Sequence, residues 1–166
     1  MRVGRSVLGA MVLGLLAAVA VPTAAHAGAA ACPSATGLGN ATAAGAVNWF
    51  KARNGCPILS GDSELAVERA WGARGPVWRN AYEHWTHADH RYTNTKPPLG
   101  AYVYWKFDAT GDVGISDGNG GFWITDATIS GGRGKIGHIK GSKARPKYRT
   151  HYSNYLGWTP GSRPHR

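Results

Sequence analysis

The sequence predicts an α+β domain, with helices in the first half and an antiparallel meander of short strands in the second. Three observations carry this. Apolar residues recur at helical spacing up to Trp85. Pro97-Pro98 then breaks the chain, and the runs beyond it turn β-branched and aromatic. Gly, Asp and Asn clusters separate those runs, as turns between strands require. The composition fits a folded domain: 17% charged residues, 24 Gly, 7 Trp, 7 Tyr and 3 Phe. Disordered chains are poor in aromatics, and long helical rods are rich in Ala, Glu, Lys and Leu.

Residues 42–53 read as the first helix, with Ala43, Ala46, Val47, Trp49 and Phe50 on its apolar side. Gly55 and Pro57 end it. A short second helix is expected over 64–71, capped by Asp62 or Ser60, with Glu64 favourable at the positive end of its dipole. Leu65, Ala66, Arg69 and Ala70 give it mixed periodicity, which implies partial burial. Pro76 suits a first helical position. Trp78, Ala81, Tyr82 and Trp85 then follow at i, i+3, i+4 and i+7, predicting an amphipathic helix of about 12 residues. Strands are expected over 101–107, 112–116, 122–126 and 135–139. The turns between them are Asp108 to Gly111, Asp117 to Gly121 and Gly131 to Gly134. Tyr148, Tyr152, Tyr155 and Trp158 fall in the tail, and no internal repeat is visible.

The first segment reads as an address. Arg2 and Arg5 precede an apolar run from Val7 to Val21, and Ala25-His26-Ala27 supplies a small-x-small site. This is the layout of a secretory signal peptide. The run is shorter than the roughly 20 residues a spanning helix needs. Cleavage after Ala27 would leave no transmembrane segment, a flexible leader over 28–40, one domain over 41–160 and a basic tail over 161–166. A retained anchor and a lipid attachment at Cys32 are the alternatives; the residues before Cys32 lack the aliphatic residue that attachment favours. Export also colours the cysteines. Cys32 and Cys56 are the only two, and in an exported chain such a pair is expected to be bonded. A free catalytic Cys56 is the other reading.

The formal net charge of +10 is unevenly placed. Residues 28–126 hold eight basic and nine acidic side chains, whereas 127–166 hold nine basic and none acidic. The densest part contains Lys140, Lys143, Arg145, Lys147 and Arg149. It is either a solvated loop or an anion-binding one. His84, His87 and His90 recur every third residue. On a helix His84 and His87 could share a metal, but His90 falls off their face, so surface or loop histidines are the plainer reading. No metal or other cofactor is expected. There is no phosphate-binding Gly-Lys-Ser loop and no Gly-x-Ser-x-Gly elbow.

Three strings carry a resemblance: Lys96-Pro-Pro-Leu-Gly-Ala-Tyr-Val-Tyr-Trp105, Thr110-Gly-Asp-Val-Gly-Ile-Ser-Asp-Gly-Asn-Gly-Gly-Phe-Trp123 and Tyr155-Leu-Gly-Trp-Thr-Pro160. Over roughly residues 46–160 the chain resembles secreted bacterial domains of the CHAP/NlpC-type papain-like superfamily, which are cell-wall amidases and endopeptidases. The resemblance implies N-terminal helices packed on a small antiparallel sheet. It also implies a nucleophilic Cys at a helix N-terminus, a His on the following Gly-His-Val-Gly-Ile strand, and a polar residue on the next strand to orient that His. A helix N-terminus and an imidazolium lower a thiol's pKa, and the His then protonates the leaving group. Ser63 stands at the nucleophile position, counted back from Trp71-Gly72. Asp112 stands at the His position, and Thr125 or Asp126 at the orienting one. A serine with no imidazole beside it is a weak nucleophile, so the resemblance implies a fold without its inherited catalysis.

The expectation is therefore a secreted, monomeric, wall-associated protein that binds peptidoglycan or an anionic wall polymer. Trp78, Tyr104, Trp123 and Thr125 are its cleft candidates, and the basic residues from Lys140 to Arg149 its anion contacts. Two alternatives stay open. One is an active amidase or endopeptidase with a rearranged site, its base drawn from His138, His84 or His151. The other is a nucleotide- or nucleic-acid-binding protein, for which Tyr with Lys and Arg would be the stacking and phosphate surface.

Overall fold

A computed structural model describes residues 31–34, 36–57, 63–125, 135–140 and 154–165. The signal segment, Ser60 and Asp62, Asp126, the 131–134 turn, the run from Lys143 to Arg149 and His151 lie outside these residues. Three helices and five strands follow in the order α1 (Ala43–Lys51), α2 (Ser63–Ala70), α3 (Ala81–His87), β1 (Tyr102–Trp105), β2 (Asp112–Ser116), β3 (Gly121–Ile124), β4 (Gly137–Lys140) and β5 (Tyr155–Thr159). The class is α+β, with one antiparallel sheet ordered β4-β3-β2-β1-β5.

Local chemistry explains most boundaries. Thr42 caps α1 by accepting the Gly45 N–H at 3.0 Å, and Ala46, Val47, Trp49 and Phe50 form its buried side. Helix α2 shows no clean amphipathic pattern because it is enclosed: Ser63, Glu64, Ala66, Val67, Glu68 and Ala70 are all buried. Strands β1, β2 and β3 are close to their expected places, and the Asp117 carboxylate shapes the hairpin by accepting N–H groups from Asn119 at 2.7 Å and Gly121 at 2.9 Å.

The third helix departs from expectation. It starts at Ala81 rather than after Pro76 and runs seven residues. The segment before it is held instead by Glu68, whose carboxylate accepts the Val77 and Trp78 N–H groups at 2.8 to 3.0 Å. Asn80, with an extended backbone, caps instead by accepting the Glu83 N–H at 2.8 Å. Glu83 in turn accepts the Arg79 N–H at 2.9 Å. This is the reciprocal logic of a capping box.

The sheet is buried on both faces. Tyr102, Tyr104, Val113, Ile115 and Trp123 pack with the helices. Val103, Trp105, Phe122, Ile124 and Ile139 form a second cluster, partly covered by Tyr155 and Trp158 of β5. That edge strand, read from the sequence only as tail, pairs with β1 through Tyr102–Thr159 and Val103–Trp158. Gly157 sits in it at φ +140 against the Tyr92 carbonyl and Trp85, where a side chain would not fit.

Residues of the leader and of the basic tail both bond to the body of the domain. Cys32 and Cys56 form a disulfide, which removes Cys56 as a free nucleophile. The Trp49 indole N–H donates to the Gly37 carbonyl at 2.6 Å. The Arg53 guanidinium lies over the Trp49 ring and donates to the Ser34 carbonyl. Gly39 N–H donates to the Arg69 carbonyl at 2.8 Å. At the other end Arg163 donates to the Gly72 carbonyl at 2.7 Å, and the Tyr102 hydroxyl to that of Ser162 at 2.7 Å. Among the described residues no helix is long and apolar enough to cross a membrane.

Two outcomes follow for stability. The disulfide closes a separation of 24 residues, so reduction, or replacement of both cysteines by Ser, lowers stability by about 3 kcal/mol in the loop-entropy account. Thermal melts with and without reductant check this. Gly100 turns at φ +77, and a Cβ there would stand 2.6 Å from the Ala43 Cα. Gly100→Ala is expected to cost at least about 2 kcal/mol, read from a denaturant midpoint.

Candidate functional site

Ser63 opens α2 and is buried. The Val113 N–H of β2 points at its hydroxyl oxygen at 3.4 Å and at the Asp112 carboxylate at 2.9 Å. The two residues at the positions the papain-like resemblance assigns to nucleophile and base therefore meet on one backbone N–H. No described imidazole hydrogen-bonds there. His138 instead donates to Asp117 at 2.8 Å and packs on Trp123. Burial pushes the Asp117 carboxyl up, but the Asn119 and Gly121 N–H groups and His138 outweigh it and hold the carboxyl below its ordinary value.

The buried polar network lies one residue further along α2. The Glu64 carboxylate accepts the His84 Nδ1–H at 2.7 Å, with both side chains almost fully buried. Trp78 stacks on His84 and on His87, each ring centre 5.5 Å away. Tyr102 and Tyr104 meet His84 edge-on at 5.0 and 5.4 Å. Glu68, fully buried, holds the Val77–Trp78 backbone as described. Burial pushes its carboxyl up to about 7; the Trp78 and Val77 N–H groups pull it down, the Glu64 charge adds to the rise and His84 opposes it.

Above this network is a cleft of about 210 Å³. It is lined by Trp78, His84 and His87, by Tyr102 and Thr159 of the sheet, and by Pro160, Ser162, Pro164 and His165 of the C-terminal segment. Of the cleft candidates, Trp78 lines this cleft. Tyr104 is fully buried and shares a hydrogen bond with Thr159 Oγ1 at 3.2 Å, so it supports the floor without lining the cleft. Trp123 and Thr125 are buried on β3 and beyond its end, and neither lines this cleft. Lys140 is exposed at the end of β4; Lys143, Arg145, Lys147 and Arg149 are outside the described residues. His84 is no surface histidine, and His87 donates its Nδ1–H to the Glu83 carbonyl at 2.9 Å.

The Glu64–His84 pair is the feature the sequence reading missed. A dipole role for Glu64 is satisfied equally by a solvent-exposed Glu. One signal is present: His84 sits three residues after the buried Ala81, so the two are neighbours on the helix surface.

Glu68 makes stability depend on pH with a definite sign. Its folded carboxyl protonates near 7, against an ordinary 4.5, so the folded state holds the proton more tightly. Its contribution is complete below about 4.5 and is lost as pH rises through about 7, a difference on the order of 3 kcal/mol. Melting temperature should fall across that window, and Glu68→Gln, which keeps a neutral acceptor, should flatten the slope. No protein-family model and no curated protein matches this chain.

Proposed function

We propose that the protein is an exported, wall-associated binding module: a CHAP/NlpC-like, papain-type domain whose catalytic position has been emptied. One observation carries the reading. Ser63, at the start of α2, and Asp112, at the start of β2, share the Val113 N–H, as the family's nucleophile and base positions would if the resemblance extends to three dimensions. Among the described residues, neither thiol nor imidazole hydrogen-bonds at that point. A serine hydroxyl receiving an N–H and facing a carboxylate lacks the base that would make it a nucleophile at neutral pH.

Binding is the role left for such a domain. The disulfide is compatible with an oxidising, extracellular setting. The excess positive charge of residues 127–166 suits an anionic wall polymer, held by a salt-sensitive attraction. Those contacts position the domain on the wall, and its cleft is free for a wall component.

Protein lacking residues 1–27 should sediment with purified cell wall at low salt and be released as salt is raised. Neutralising Lys143, Arg145, Lys147 and Arg149 together should weaken that binding at least tenfold. Wall suspensions should not clear. Failure to sediment overturns the proposal, as does clearing that disappears in Ser63→Ala.

A further inference from the structure

The cleft beside Trp78 is a different place from the Ser63–Asp112 position. It lies over the Tyr102–Thr159 pair of the sheet, whereas Asp112 pairs with Trp105. Three residues of extended chain separate these rows, on the order of 10 Å. The cleft thus needs its own chemical account.

Its lining is selective in what it omits. Among the described residues no Lys or Arg lines the cleft, and Asp89 does. A phosphate or carboxylate ligand would meet that negative charge with no described cation beside it. Among the described residues, no three His, Cys, Asp or Glu side chains are grouped closely enough to hold a metal ion. What remains is an indole with apolar Pro160 and Pro164 nearby, edged by side chains that donate and accept hydrogen bonds.

His84 shows that the polar part is built. It is 7% exposed, and its Nδ1–H is committed to the Glu64 carboxylate. That fixes the tautomer and leaves Nε2 as an acceptor, which bonds to no described residue. The Nδ1 atoms of His87 and His165 are likewise engaged by backbone carbonyls, of Glu83 and Arg163. Three imidazoles at one cleft are thereby oriented with their second nitrogen available.

We propose that this cleft binds one ring of a neutral saccharide. A pyranose offers a face of C–H groups for the indole and a rim of hydroxyls that donate to imidazole Nε2 and to Asp89. Stacking on an aromatic with a few placed polar groups is the ordinary design of a small-ligand site. The inference rests on the wall-binding reading only for where the glycan comes from, and it assigns glycan to the cleft and anionic polymer to the basic stretch.

The test is a titration of the protein lacking residues 1–27 with a neutral N-acetylglucosamine trimer, followed by calorimetry and by NMR of the indole N–H and imidazole C–H signals. Saturable binding is expected, with shifts at Trp78, His84 and His87. Raising salt from 50 to 500 mM should leave it unchanged, Trp78→Ala should weaken it at least tenfold, and the exposed rim variant Asp89→Ala about threefold. Poly(glycerol phosphate) should not compete. No saturable binding, shifts that map elsewhere, competition by the polyphosphate, or full binding in both variants overturns the proposal. If Trp78→Ala does not fold, the shift map and Asp89→Ala decide. Wall sedimentation that persists without trimer binding defeats this inference alone; trimer binding without sedimentation defeats the wall reading alone.

Discussion

Helix α2 places two carboxylates, Glu64 and Glu68, where water does not reach them, and the arrangement of the functional face depends on what they hold. Glu68 takes the N–H groups of Val77 and Trp78. That fixes Trp78 beside the cleft. Glu64 takes the Nδ1–H of His84 and locks α3 against α2. A buried carboxylate without partners is costly, so these bonds are close to obligatory once the helix packs. Removing either carboxylate would strand buried N–H groups. One short helix therefore sets the pose of Trp78 and the tautomer of His84.

The sheet supplies the rigid floor. Most antiparallel sheets of this size leave one face to water, but here β1 is buried on both. Aromatic side chains make this possible: Tyr102 and Tyr104 on the helix side, Trp105 on the other. The chain ends complete the enclosure. The leader is bonded through Cys32, Gly37 and Ser34, and the C-terminal segment through Ser162 and Arg163. A domain of this size gains much from such straps, since its small core leaves little margin. The C-terminal strap also forms one side of the cleft, so its anchoring to Tyr102 and Gly72 keeps the binding face in shape.

In the proposed reading, three surfaces have separate work. The Ser63–Asp112 position retains the place of a catalytic pair without its chemistry. The Trp78–His84 cleft, with no Lys or Arg among its described lining residues, suits a neutral ring. The positive charge is concentrated in residues 127–166, where long-range attraction to an anionic polymer needs no precise geometry. Charge attracts over distance and screens with salt; stacking and hydrogen bonding act only at contact. Using both on different surfaces lets one small domain hold a wall by one means and select a component of it by another.

The sequence by itself determined whatever depends on near neighbours. Helix α1 was legible because Thr42, the apolar spacing and Gly55 lie within one short window. The β2–β3 hairpin was legible because Asp117 to Gly121 encode its turn. The asymmetry of charge is a matter of counting. Only the tertiary structure decided the rest. Strand β5 exists because Tyr155–Thr159 finds β1, more than 50 residues earlier in the chain, and nothing local in that run demands it. The segment before helix α3 is held by Glu68, nine and ten residues upstream of Val77 and Trp78, and the helix begins only at Ala81, after its Asn80 cap. Glu64 and His84 are twenty residues apart, and each alone reads as a surface residue. Propensity is a local quantity, whereas the burial of a charged group depends on which distant surface covers it. A buried, hydrogen-bonded polar site is therefore invisible until the chain closes over it.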